Sequence, residues 1–114
     1  MVAAVDLAYP SLANVLNQCP YTGSIQCSRL YGQAQDALNA FSNTLFTIHA
    51  PTQCTNLALQ IAKALSEAQA WMGNDVAQGP YGVNTNDAAN RAFEAMKWLQ
   101  AIRTTVLNTP GTCR

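Results

Sequence analysis

Leu30, Ala34, Ala37, Leu38, Phe41, Leu45 and Ile48 recur at steps of three and four residues. That spacing places them on one face of an α-helix. A helix with one apolar face gains most of its stability by burying that face against neighbours. The segment 28–48 is therefore predicted to be a helix, ended by Ala50-Pro51 because the residue before a proline avoids helical dihedrals. Three other segments carry the same pattern. Over 6–18, Leu12, Val15, Leu16 and Cys19 keep helical spacing, with Asp6 as candidate cap and Pro10 expected in the first turn. Over 53–72, with Thr52 as cap, the stripe is Leu57, Ile61, Ala64, Leu65, Ala68 and Met72, and Gly73 is a natural stop. Over 85–108 it is Ala88, Ala92, Met96, Leu99, Ile102 and Val106. Asn84 is the cap there, Asp87 stands three positions on, and Pro110-Gly111 follows.

Pro20-Tyr21-Thr22-Gly23 separates the first two helices, and 73–83, with three glycines and Pro80, forms the longest loop. No segment alternates with a two-residue period, so strands are not expected. Short connections make successive helices antiparallel. The predicted fold is all-α, an antiparallel four-helix bundle with up-down-up-down order, filling 1–114 as a single domain. A chain of 114 residues is the size of one ordinary domain, and no internal repeat is visible.

Cys19, Cys27, Cys54 and Cys113 form an even set. No Cys-x-x-Cys occurs, and the one histidine, His49, lies outside ligand-like spacing, so the set reads as two disulfides and no metal site. In the predicted bundle Cys19 and Cys27 meet at one end, while Cys54 and Cys113 meet at the other. The alternative pairings would have to span a helix of roughly 30 Å, and a disulfide tolerates under about 7 Å between Cα atoms. Cys19–Cys27 with Cys54–Cys113 is therefore the expected connectivity. By loop closure the short bridge stabilises by about 2.5 kcal/mol and the long one by about 4 kcal/mol.

Charged residues are 11% of the chain, against roughly 25% in a typical domain. Six Lys/Arg balance six Asp/Glu. The six cations are too few and too dispersed for phosphate neutralisation along a nucleic acid or for a basic membrane-surface helix. No apolar run approaches the roughly 20 residues of a membrane span. A polar, uncharged surface with two disulfides implies an extracellular or periplasmic protein. Met1–Asp6 has neither the basic region nor the apolar stretch of a signal peptide, so the expectation is that a leader has been removed.

No catalytic constellation and no cofactor motif is found. Gly-x-Ser-x-Gly and Gly-Lys-Ser/Thr are absent. His49 closes the second helix, where the helix dipole favours a polar or cationic end group. Asp87 and Glu94 are the likeliest-spaced carboxylates for acid/base work, but Asp87 is four residues from Arg91 and Glu94 three from Lys97. Lys63 and Glu67 repeat the pattern, and all read as solvated surface pairs.

The residues singled out for interaction are aromatic, apolar or misplaced. Phe93 and Trp98 stand at opposite edges of the fourth stripe, Phe46 and Leu59 point away from theirs, and Arg103 falls inside one. Trp71 precedes the 73–83 loop and Tyr81 lies within it. Long loops on rigid scaffolds carry function disproportionately, which makes this loop the preferred site.

Cys19-Pro20-Tyr21-Thr22, followed by Cys27 and Leu30, resembles the N-terminal helical hairpin of plant invertase and pectin methylesterase inhibitors. That resemblance implies an exported four-helix bundle with four cysteines. It covers a short stretch of the chain. The cysteine spacing differs by one residue, and Cys54 and Cys113 are far apart where the family bridges successive helices, so no site residue is carried over. The function expected is a non-catalytic exported protein that binds another protein, of inhibitor, immunity or secretion-accessory type, with a second copy of the chain as a further candidate partner. A carrier of an apolar ligand between the helices, with Met72 and Met96 leaving room, and a small hydrolase using Glu94 and Asp87 are the alternatives.

Overall fold

All four apolar stripes pack inward on one another. The computed structural model describes residues 2–47, 55–73, 78–79 and 82–108. In order these form α1 (Val2–Gln18), a single 3-10 turn (Cys19–Tyr21), α2 (Ser24–Thr47), α3 (Thr55–Trp71), β1 (Gln78–Gly79), β2 (Gly82–Val83) and α4 (Thr85–Leu107). The helices make an antiparallel four-helix bundle in which α1 and α3 each lie between α2 and α4. Cross-helix bonds give the direction. Asp6 meets Arg103 and Tyr9 meets Gln100, so numbers rise along α1 as they fall along α4. Gln35 meets Met72 and Asn39 meets Gln69, which sets α2 against α3 in the same sense.

The core is built from the predicted stripes. Leu12, Val15, Leu38, Ile61, Leu65, Met72, Leu99, Ile102 and Val106 are all buried. Leu16, Ala37 and Ala64 pack on its margin. Met96 is also buried, beside Met72 in the same core.

Three departures from expectation concern ends and turns. Helix α1 starts at Val2, which puts Pro10 inside the helix and leaves Asp6 no capping role. Val5 and Ala8 extend the stripe back from Leu12 by seven and four residues, and both are buried. Their burial offsets the lost hydrogen bond of an internal proline, and Pro10 is on the exposed side. Helix α2 starts at Ser24, so Cys27 lies in its first turn, with Cys27 N–H donating to Gly23 O at 3.0 Å. Within the 73–83 loop, β1 and β2 form a minimal antiparallel ladder, Gln78 opposite Val83 and Gly79 opposite Gly82. Two-residue strands are too short to show an alternation.

Cys19 and Cys27 are joined, their Cα atoms 4.8 Å apart, and both are fully buried. The bridge staples α1 to α2 at the bundle end where α3 stops and α4 begins. Cys54 and Cys113 lie outside the described residues, as do His49 and Tyr81. No described helix is long and apolar enough to cross a membrane.

Candidate functional site

An α-helix leaves its last carbonyls without intrahelical donors. At the end of α3, three successive carbonyls are taken up by side chains from two other helices. Trp71 O accepts from Arg91 Nη1 of α4 at 3.1 Å. Met72 O accepts from Gln35 Nε2 of α2 at 2.7 Å. Gly73 O accepts from the Tyr31 hydroxyl of α2 at 2.8 Å. Tyr31 reaches it from the core, being only 1% exposed. Arg91 is itself held, its Nε donating to Asp87 Oδ2 at 3.0 Å and its guanidinium 6.0 Å from the centre of the Trp71 ring.

The far side of the loop is fixed as well. Asn84 Oδ1 accepts from Asp87 N–H at 3.0 Å, which is the predicted cap of α4, and Ala88 N–H donates to Asn84 O at 2.9 Å. The end of α3 and the start of α4, on either side of the 73–83 segment, are thus each held by hydrogen bonds, and β2 lies against α2. At the end of α3 stands Trp71, 38% exposed although its backbone is clamped.

Between α2 and α3, next to this end, runs a groove of about 320 Å³ lined by Gln35, Asp36, Asn39, Gln69, Met72 and Gly73. Gln69 Nε2 donates to Asn39 Oδ1 across it at 3.1 Å. A second groove, of about 460 Å³, lies between α1 and α4 among Val5, Asp6, Tyr9, Gln100, Arg103 and Thr104. Gln100 Nε2 donates to the Tyr9 hydroxyl there at 3.0 Å.

The structure separates the residues singled out from the sequence. Trp71 is at the clamped end of α3. Arg103, expected within the apolar stripe, is exposed instead and pairs with Asp6 at 3.4 Å, because Ile102 and Val106 take the inward positions. It is twelve residues from Arg91, about 18 Å along α4. Trp98 is partly buried and packs against the core. Leu59 is exposed on α3, away from the stripe. Phe46 belongs to α2, and its side chain lies outside the described ones.

Asp87 and Glu94 are two helical turns apart, and each has its own cation, Arg91 at 3.0 Å and Lys97 at 3.1 Å. Lys63 and Glu67, both exposed, are not within ion-pair distance, so that expected pair does not form. Among the described residues, no group of three His, Cys, Asp or Glu side chains is placed to hold a metal ion. Sequence reasoning missed Tyr31, Gln35 and Arg91, which tie down the end of α3. Tyr31 and Gln35 are one turn apart at the edge of the α2 stripe, a detectable spacing, but their acceptors are backbone atoms. No family model, curated protein or solved structure matches the chain.

Proposed function

We propose that the protein is a non-catalytic, exported binding protein that engages another protein through the bundle end formed by Trp71, Arg91 and the 73–83 loop. The observation that carries this reading is the triple clamp on the Trp71, Met72 and Gly73 carbonyls. A connecting loop needs no such anchorage. A recognition loop gains from it, because order imposed before binding is not lost as entropy on binding. Tryptophan and arginine, adjacent here, are enriched among residues that dominate binding energy. The buried Cys19–Cys27 bridge suits an oxidising compartment. An inhibitor, immunity or secretion-accessory role fits a small rigid scaffold with an anchored loop.

The test compares immobilised wild type with Trp71→Ala against the extracellular fraction of the producing cells, with bound proteins identified by mass spectrometry. A protein retained by wild type and lost from Trp71→Ala, at unchanged thermal unfolding, supports the reading. Identical captures from both, or no capture together with a measurable catalytic activity, overturn it.

A further inference from the structure

The groove between α2 and α3 carries chemistry that the anchored loop does not use. Among its lining residues Asp36 is the charged one, and Asp36 takes part in none of the ion pairs among the described residues. The groove also reaches Met72 and Gly73, at the C-terminal end of α3. Helix carbonyls concentrate partial negative charge there, and the last turn of α3 contains no basic residue. Arg91, Gln35 and Tyr31 donate to the three carbonyls there; of these three donors Arg91 alone is charged, and its Nε is committed to Asp87. The amide across the groove adds an acceptor: Gln69 donates through Nε2 to Asn39, which leaves its Oε1 for another donor. A carboxylate, a negative helix end and an amide oxygen all favour a cation rich in donors.

We propose that this groove receives an arginine side chain of the partner protein. A guanidinium is planar, carries five N–H donors and pairs with a carboxylate through two parallel bonds. It would lie across Asp36 with a remaining N–H directed to Gln69 Oε1. A volume of about 320 Å³ is at the small end for ligand pockets, which suits one side chain and not a folded segment. This inference rests on the protein-binding reading and adds that the partner presents arginine beside the surface that meets Trp71.

The experiment is a titration of the isotope-labelled protein with N-acetyl-arginine amide, followed by amide shifts, with N-acetyl-citrulline amide as the neutral isostere. The expected result is a saturable shift at Asp36 and at the Asn39 and Gln69 side-chain amides with arginine and none with citrulline. Asp36→Asn weakens the arginine response about fivefold, the upper range for an exposed ion pair. Asp36 is exposed, and an unchanged helical circular dichroism spectrum verifies the variant's fold. No saturable shift, an equal response to citrulline, or unchanged affinity in Asp36→Asn overturns the proposal. A flat arginine titration alongside partner capture that still depends on Trp71 overturns the groove alone, and leaves the loop reading in place.

Discussion

Helix α3 has two different sides. Toward α4 it makes a long, close contact, and α4 brings Ala88, Ala92 and Ala95 to the core beside Leu99, Ile102 and Val106. Alanines let helix backbones approach, and the larger side chains between them fill the space to interior density. Toward α2 the contact is sparser and much of it is polar: Tyr31 and Gln35 to backbone carbonyls, Asn39 to Gln69, with an open groove between. Apolar packing is non-directional and stabilises in proportion to area. A hydrogen bond nets about 1 kcal/mol and fixes a geometry. The α4 side therefore holds the bundle together, and the α2 side, joined by Arg91 of α4, determines where the end of α3 is placed.

The sharpest way to break this comparison is to empty the α4 side. Leu99 is fully buried, and Leu99→Ala removes packed atoms while leaving a cavity. A loss of about 2–5 kcal/mol is expected in urea unfolding. On the α2 side, Tyr31→Phe keeps the ring and deletes only the hydroxyl that donates to Gly73 O. It should cost about 1 kcal/mol, while loosening the loop, seen as faster amide hydrogen exchange at Gly73 and Val83. An equal cost for the two variants would mean that the two sides of α3 contribute alike to stability. The smallest effect has the opposite sign. Gly32 shares a helix face with Gln35, Asp36 and Asn39, and a Cβ added there meets nothing within 4 Å. Gly32→Ala should stabilise by about 0.5–1 kcal/mol through helix propensity alone, detected as a raised melting temperature. A destabilised Gly32→Ala would mean that this side is packed after all.

The same division separates what could be read in the sequence from what could not. Helix interiors and apolar faces were legible because they follow local periodicity, and Asn84 was legible as a cap because its acceptor role is local. Asp6 was misread for the same reason. Its position before an apolar stripe looks like a cap, yet its partner is Arg103, nearly the whole chain away. The start of α1 was hidden by Pro10, whose local cost is outweighed by burial of Val5 and Ala8. Trp71 was visible as an aromatic beside a long loop. The clamp was not, because backbone carbonyls are present at every position and carry no signature of which of them will be left without a donor.

The buried Cys19–Cys27 bridge has a kinetic consequence. Thiol–disulfide exchange requires a thiolate to reach a sulfur atom, and both cysteines are fully shielded. A reductant in solution therefore attacks only those molecules whose α1–α2 end has momentarily opened. The bridge acts as a recorder of that opening, at the same end of the bundle as Trp71. A partner seated across that end would slow the recorder without touching either sulfur, so the rate of reduction reports occupancy of the site by a group that takes no part in it.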